Sequence, residues 1–208
     1  MESSSTELYL IRHAESEMNT APQLIGGRSN HTPLTERGEQ QALELGEHLR
    51  DLHLFPDSLY ASPAIRTLAT AKLCLKAMGV KPDIIVDDAL QELDQGRNEG
   101  LLRGAVYTEQ VMSDIMKLGK DFRFDGGESM NDVGKRMALW ANTNIAEREG
   151  RHFAFTHGGG IKYWASLIMD WPHLESFKTP VDNASYSLFR HDGRRWRVEF
   201  LNHNAYSD

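Results

Sequence analysis

Cysteine is almost absent from this 208-residue sequence, in which Cys74 is the only one. A single cysteine excludes an intrachain disulfide framework and a metal site built from thiolates alone. Apolar runs are also short, and none approaches the roughly 20 residues that a membrane-spanning helix needs. Residues 1–7 lack both the basic segment and the apolar segment of a secretory signal peptide. We therefore expect a cytoplasmic protein that does not enter a membrane.

Basic residues are fewer than acidic residues in this sequence. The sequence has 23 Lys and Arg against 30 Asp and Glu, which gives a formal net charge of -7. This balance argues against a general nucleic-acid binder and against a binder of anionic membranes, which usually carry a basic face. It does not exclude one small cationic pocket. The length predicts one domain over residues 1–208, with a loose tail at residues 1–6.

Short apolar runs alternate with segments of helical spacing along the chain. Strands that alternate with helices predict an α/β fold, here a three-layer αβα sandwich with a mostly parallel sheet and an antiparallel strand near its edge. The predicted strands are residues 8–11, 58–61, 83–86, 153–156, 186–189 and 196–200. The predicted helices are residues 35–52 with Thr35 as N-cap, 63–78 ended by Gly79, 105–118, one that Ser129 and Asp132 open as a capping box, and one that ends near Met169.

Three predicted strand ends carry side chains that suit a phosphate group. The first strand is followed by Arg12 and His13, the second leads to Arg66, and the fourth ends at His157. Because ligands of parallel sheets bind beyond the carboxyl ends of the strands, we expect these four side chains to meet at one rim. Two guanidinium groups and two imidazoles form a cationic pocket with donors suited to phosphate oxygens.

Two further features could supply neutral donors to the same site. Asn19 follows the first strand, and the glycine run at residues 158–160 opens a helix, where free N–H groups bind anions. Each residue alone has a plain structural explanation: Arg66 as a surface arginine, Asn19 as a turn residue, and Ser62 as the cap of a helix that begins at Pro63. Only the occurrence of all these residues at one edge of the predicted sheet favours an anion site.

Several motifs resemble those of the histidine phosphatase superfamily, which has the phosphoglycerate mutase-like fold. The run LIRHAESEMN at residues 10–19 is similar to the signature of that family, and the others follow in the family's order. Together they extend from residue 8 to about residue 160, and such an ordered set is far more specific than one motif. The remaining motifs are PLTERG at residues 33–38, ASPAIRT at 61–67, LQELDQG at 90–96, GES at 127–129 and THGG at 156–159.

The resemblance implies a two-step phosphoryl transfer. His13 would be the nucleophile that becomes a phosphohistidine, and covalent catalysis of this kind divides one difficult displacement into two. Glu92 would protonate the leaving alcohol and then take a proton from water. Fixed donors would hold the phosphate oxygens in place of a metal, so the resemblance implies no metal and no other cofactor. These donors are Arg12, Asn19, Arg66, a protonated His157 and the amide of Gly158.

Departures from the family pattern bear on the activity. Gln95 stands where glycolytic mutases have an aromatic residue, and Arg103 stands where they have a lysine that binds the substrate's carboxylate. The cap region at residues 103–127 is short. A mutase must shield its phosphohistidine from water, whereas a phosphatase admits water, so the short cap favours a phosphatase. Arg28 and Arg103 are candidates for contacting a second charged group of the substrate.

We therefore expect a phosphatase for a small phosphorylated metabolite, with three alternatives. The nearest is a bisphosphoglycerate-dependent phosphoglycerate mutase. The second is a non-catalytic module that binds phosphate ligands, against which the complete set of site residues argues. The third, a metallohydrolase, has little support because no His-Glu-x-x-His or comparable ligand spacing occurs. A homodimer stays open, since dimers are common among soluble enzymes.

Overall fold

Six strands form one mixed sheet in the computed structural model, which describes residues 6–81 and 83–205. The strands are β1 (Thr6–Arg12), β2 (Ser58–Ala61), β3 (Ile84–Val86), β4 (Gly150–Thr156), β5 (Tyr186–His191) and β6 (Trp196–His203). Their order across the sheet is β3-β2-β4-β1-β5-β6. Parallel pairing joins β1 to β4, β4 to β2 and β2 to β3, whereas β5 runs antiparallel to both β1 and β6. The predicted α/β fold with a mostly parallel sheet is confirmed.

Helices cover both faces of this sheet and complete the three layers. The helices are α1 (Glu36–Asp51), α2 (Ile65–Met78), α3 (Arg103–Val106), α4 (Glu109–Leu118), α5 (Met130–Asn144), α6 (Gly158–Ile168) and α7 (His173–Lys178). Leu8 and Leu10 of β1 join the core under α5 and α6, whereas Tyr9 and Ile11 join the core under α1 and α2. This double burial explains why β1 is a continuous apolar run. Within residues 6–81 and 83–205, no helix has the length and apolar character needed to cross a membrane.

Several helices begin or end where the sequence predicts, because their capping residues form the expected contacts. The Thr35 hydroxyl accepts a hydrogen bond from the Gly38 N–H at 3.0 Å, as an N-cap does. Ser129 and Asp132 form the predicted capping box at the start of α5. Gly79 ends α2 with a φ of 74°, a left-handed conformation that glycine adopts without steric cost.

The predicted start of α2 is wrong by two residues. The helix begins at Ile65 instead of Pro63, and the extended residue before it is Ala64. Ser62 is therefore not the N-cap of this helix. Its hydroxyl instead lies 2.9 Å from Nε2 of His157.

The cap region at residues 103–127 is less regular than the predicted helix 105–118. Tyr107 leaves the helical conformation and separates α3 from α4, and the Thr108 hydroxyl caps α4. No residue of α3 or α4 is buried. The short helix α7 has no counterpart among the predicted helices.

The predicted loose tail covers residues 1–6. Residues 1–5 lie outside the described residues. The prediction is wrong for Thr6, which is the first residue of β1 and is buried. Its hydroxyl donates a hydrogen bond to the carbonyl of Arg148 at 2.7 Å.

The contact between α1 and α2 provides a test of the packing. A Cβ atom on Gly46 would overlap with the carbonyl oxygen of Cys74. We expect Gly46→Ala to lower the free energy of unfolding by about 1–3 kcal/mol, the usual cost of overpacking. Urea unfolding followed by circular dichroism measures this change.

The matched control is Gly104→Ala in α3, where an added Cβ meets nothing within 4 Å. This substitution should be neutral or slightly stabilising, because alanine restricts the unfolded chain. Equal stability of Gly46→Ala and the wild type would contradict the close approach of α1 to α2.

Candidate active site

A cavity of about 380 Å³ lies beyond the carboxyl ends of β1, β2 and β4. The backbone N–H of His13 continues the pairing of β1 with β4 by bonding the Thr156 carbonyl at 3.0 Å. The N–H of Ser62 does the same for β2 by bonding the Phe155 carbonyl at 2.9 Å. The sheet therefore holds the three strand ends side by side. The residues predicted for the site that line this cavity are Arg12, His13, Asn19, Arg66, Glu92, Arg103 and Gly158.

His13 is buried at the floor of the cavity as a neutral ring with a defined tautomer. Its Nδ1 lies 2.8 Å from the carbonyl oxygen of Ala14, and a carbonyl only accepts, so Nδ1 carries the proton. Its Nε2 accepts a hydrogen bond from Nε of Arg66 at 3.2 Å. Burial lowers the pKa of His13 well below its usual value, and the charges of Arg66 and Arg12 lower it further. Nε2 is therefore unprotonated, and its single lone pair is the acceptor of the hydrogen bond from Arg66.

His157 is fully buried beside His13, with ring centroids 5.1 Å apart. Its Nε2 lies 2.9 Å from the Ser62 hydroxyl, and its Nδ1 accepts a hydrogen bond from Nη2 of Arg66 at 3.1 Å. Burial lowers the pKa of His157 well below its usual value, followed by the charges of Arg66 and of His13. The ring is therefore neutral in this environment, and the protonated form that the resemblance implies requires a bound anion.

Arg66 joins the two histidines to the loop of residues 20–31. Its Nη1 donates to the Ser29 carbonyl at 2.8 Å, and its Nη2 donates to the Arg28 carbonyl at 2.9 Å. The side chain is only 4% exposed. It is therefore a fixed cation of the site and not the surface arginine of the plain explanation.

Arg12 supplies the second guanidinium group. Its Nη1 donates to the Val181 carbonyl at 2.6 Å, while its Nε is buried with no hydrogen-bond partner among the described residues. Gly158 begins α6 next to this guanidinium and lines the same cavity. A buried free donor and the free N–H groups of a helix start are both features that an anion satisfies.

Asn19 lies at the mouth of the cavity with its amide held by neighbours. Its Oδ1 accepts hydrogen bonds from the N–H and the hydroxyl of Ser16, at 3.0 and 2.9 Å. Nδ2 of Asn183 donates to the same oxygen at 3.2 Å and to the His13 carbonyl at 3.0 Å. With Oδ1 occupied, the Nδ2 group of Asn19 is the donor left for a ligand. No pattern in the sequence indicates the contribution of Asn183.

Glu92 lines the cavity opposite the strand ends. Its Oε1 accepts a hydrogen bond from the Leu93 N–H at 2.8 Å, and its Oε2 accepts one from the Gly159 N–H at 3.2 Å. A Cβ atom on Gly159 would overlap with the Glu92 carboxylate. The glycine run after His157 is therefore needed for Glu92 to approach α6 this closely.

The loop that carries Glu92 is held from behind by Arg136 of α5. Nη1 of Arg136 donates to the carbonyls of Ala89 and Gln91, at 2.6 and 3.0 Å. The same guanidinium pairs with Glu128 through two contacts of 2.9 Å. Arg136 thus fixes the backbone on which Glu92 stands, a role that the sequence analysis missed.

The two arginines proposed for substrate specificity differ in position. Arg28 does not line the cavity, because its guanidinium lies against the carboxylates of Asp94 at 3.3 Å and Glu128 at 3.4 Å. The structure therefore does not place Arg28 with the other predicted site residues, and its contact with a substrate stays a prediction. Arg103 does line the cavity, at the start of α3 and near the ring of Tyr107.

Lys162 is a cation of the cavity that the sequence analysis missed. It follows Gly158 by four residues, so both lie on one face of α6. Its Nζ donates to the Phe177 carbonyl at 3.3 Å, and burial lowers its pKa. Helical spacing after the glycine run is the signal that could have identified it.

The donor set contains no arrangement typical of a metal centre. Within residues 6–81 and 83–205, no group of three or more His, Cys, Asp or Glu side chains is placed to hold a metal ion. Arginines and histidines surround His13 instead, and guanidinium groups do not ligate cations.

Comparisons with known proteins agree with this geometry. The sequence matches the histidine phosphatase superfamily (branch 1) over residues 8–204. It is also similar to a probable phosphoglycerate mutase, GpmB, of Salmonella choleraesuis (strain SC-B67). The two are 31% identical over 193 residues, which are 91% of this chain and 87% of the Salmonella protein.

Solved structures of both a phosphatase and a mutase share the fold. A mycobacterial glucosyl-3-phosphoglycerate phosphatase has a TM-score of 0.78 at 22% identity, over 96% of this chain and 100% of that chain. A phosphoglycerate mutase from Bacillus anthracis (strain Sterne) has a TM-score of 0.78 at 23% identity, over 97% of this chain and 94% of that chain. The architecture alone does not decide between the two activities.

The buried neutral histidines predict a loss of stability in acid. In the unfolded chain His13 takes up a proton near pH 6.5, whereas in the folded chain it does so only at lower pH. Below about pH 6.5, the free energy of unfolding should therefore fall by up to about 1.4 kcal/mol per pH unit for this residue alone. Urea unfolding at pH 7, 6 and 5 measures the slope for the wild type and for His13→Gln, which should be shallower.

The control for this experiment is His31→Gln, because His31 is exposed. Its slope should equal that of the wild type. A His13→Gln slope as steep as the wild-type slope would mean that His13 takes up its proton at the same pH in the folded and the unfolded chain.

Proposed function

The chain belongs to the histidine phosphatase superfamily (branch 1), as its motifs predict, and on this premise we propose that it is a metal-independent phosphatase acting on small phosphomonoesters. One observation carries the proposal: His13 is buried and neutral, and its unprotonated Nε2 lies at a cationic cavity beside Arg66, whose Nε–H can turn from Nε2 to an oxygen of a bound phosphate. A neutral imidazole nitrogen can attack phosphorus, whereas a protonated one cannot. The proposed residues all lie around one sheet, so the activity needs no second domain.

The first step transfers the phosphoryl group to His13. Nε2 attacks phosphorus, the bond from phosphorus to the ester oxygen breaks, and Glu92 donates a proton to the departing alkoxide. The Nδ1–H of His13 stays bonded to the Ala14 carbonyl, which stabilises the positive charge that develops on the ring. The products of this step are the free alcohol, a phosphohistidine and the Glu92 carboxylate.

The second step returns the site to its starting state. Water attacks phosphorus, Glu92 takes a proton from that water, and the bond between Nε2 and phosphorus breaks. Inorganic phosphate leaves, and Glu92 is again protonated. One carboxyl group thus serves as acid and then as base, which requires that it face the same oxygen position in both steps.

Donors around the phosphoryl group stabilise the charge of both transition states. Arg12, Arg66, Asn19 and the N–H groups at the start of α6 are arranged around the cavity without need of a metal. A bound dianion favours the protonated form of His157 and opposes the effect of its burial. Phosphate binding is therefore coupled to proton uptake, and the ring becomes a second donor only when the ligand is present.

A phosphoglycerate mutase is the second candidate. The similarity to GpmB favours it, as does the position of Arg103, which can contact a second anionic group. Against it, Arg28 is held by two carboxylates outside the cavity. Moreover, α3 and α4 have no buried residue, so the cap provides little shielding of a phosphohistidine from water. We therefore favour hydrolysis over transfer.

Release of inorganic phosphate tests the proposal, with nitrophenyl phosphate, an alkyl phosphate and a panel of phosphorylated metabolites. The wild type should turn over equally well in EDTA. His13→Ala should lower kcat/KM by at least about 1,000-fold, as expected for loss of a nucleophile. Glu92→Gln should lower kcat/KM strongly for the alkyl phosphate and much less for nitrophenyl phosphate, whose leaving group needs little protonation.

The matched control is His53→Asn, an exposed histidine outside the cavity that should leave activity unchanged. Interconversion of phosphoglycerates with a trace of bisphosphoglycerate, and without phosphate release, would establish the mutase instead. Equal and negligible release by the wild type and His13→Ala would establish a non-catalytic binding module. Loss of turnover in EDTA would contradict the metal-independent mechanism.

A further inference from the structure

A second, apolar chamber adjoins the catalytic cavity beneath the cap, and we propose that it binds an uncharged ring or branched chain of the substrate's leaving group. This inference rests on the proposed phosphatase function and narrows its substrate class. The chamber has a volume of about 90 Å³. Leu93, Gln95, Tyr107, Tyr163 and Phe177 line both spaces, so the chamber and the catalytic cavity lie side by side, and a leaving group would enter the chamber past these side chains.

The walls of the chamber are mainly aromatic. The ring of Phe124 lies edge-on to Tyr107 at 5.7 Å and to Phe122 at 5.1 Å. Ile115 of α4 and Met130 at the start of α5 complete the apolar lining. Aromatic rings in this arrangement accept another ring through edge-to-face or offset contacts.

The charged residues at the chamber are already paired, which leaves an uncharged ligand as the suitable occupant. Arg123 lies 3.0 Å from the carboxylate of Asp132, and Glu128 is bound by Arg136 at 2.9 Å. An ionic group in the chamber would therefore compete with existing ion pairs. Arg103 and Lys162, which form no salt bridge with a described residue, line the catalytic cavity and not the chamber.

Two observations indicate that the chamber is built for a ligand and is not filled by the protein. Nδ1 of His173 is buried at the chamber with no hydrogen-bond partner among the described residues, and a ligand with one polar atom would satisfy it. In addition, Ile115 of α4 lines the chamber without being buried. A ligand ring would cover this side chain.

Comparison of two alkyl phosphomonoesters tests the inference. Phenethyl phosphate carries a ring that reaches beyond the phosphate, whereas propyl phosphate does not, and both release an alcohol of similar acidity. The wild type should show a kcat/KM about tenfold or more higher for phenethyl phosphate, since burial of an aromatic ring is worth that much or more. Ile115→Trp should fill the chamber and bring the two kcat/KM values close together by lowering the value for phenethyl phosphate.

Met112→Trp is the matched control, because Met112 is an exposed apolar residue of the same helix that does not line the chamber. It should keep the wild-type preference. Equal kcat/KM values for both esters in the wild type, or an undiminished preference in a folded Ile115→Trp, would overturn the inference while the phosphatase function stands. The wild-type comparison decides the matter alone if Ile115→Trp does not fold. No phosphate release from any ester would overturn the phosphatase function itself.

Discussion

The proposed reactivity of His13 depends on the hydrogen bond from its Nδ1 to the carbonyl of the next residue, Ala14. This bond assigns the ring proton to Nδ1 and leaves Nε2 with a lone pair. Burial and the neighbouring guanidinium groups oppose protonation of the ring, so the nucleophilic form is the stable one. The same bond supports the positive charge of the ring after phosphoryl transfer. One local contact therefore sets the position, the protonation and the reactivity of the proposed nucleophile.

The sheet supplies the geometry that this ring needs. Because β1, β4 and β2 are parallel neighbours, their carboxyl ends bring Arg12, His13, Ser62 and His157 together without long loops. Arg66 then links both imidazoles to the loop of residues 20–31. The loop that carries Glu92 is held separately, by the Arg136 guanidinium of α5, so the proposed nucleophile and the proposed proton donor are positioned by different faces of the fold.

Sequence reasoning succeeded where the signal was local and failed where it depended on distant partners. Parallel strand ends are recognisable from apolar runs, which is why His13 and Arg66 could be placed at one rim. Arg28 could not be placed, because its direction is set by carboxylates far along the chain. The role of Arg136 depends on carbonyl groups of a loop about 45 residues earlier, and no residue pattern encodes such a contact. Lys162 is intermediate, since its helical spacing from Gly158 was visible but its approach to the cavity was not.

The most direct test of the central claim is the location of phosphorus on the phosphoenzyme. The Glu92→Gln variant, with nitrogen-15 in its histidines, can be loaded by a nitrophenyl phosphate pulse and observed by phosphorus–nitrogen NMR at alkaline pH, where phosphohistidine persists. We expect one phosphoramidate, with phosphorus bonded to Nε2 of His13. Phosphorus on Nδ1 of His13, or on another residue, would contradict the tautomer and with it the mechanism.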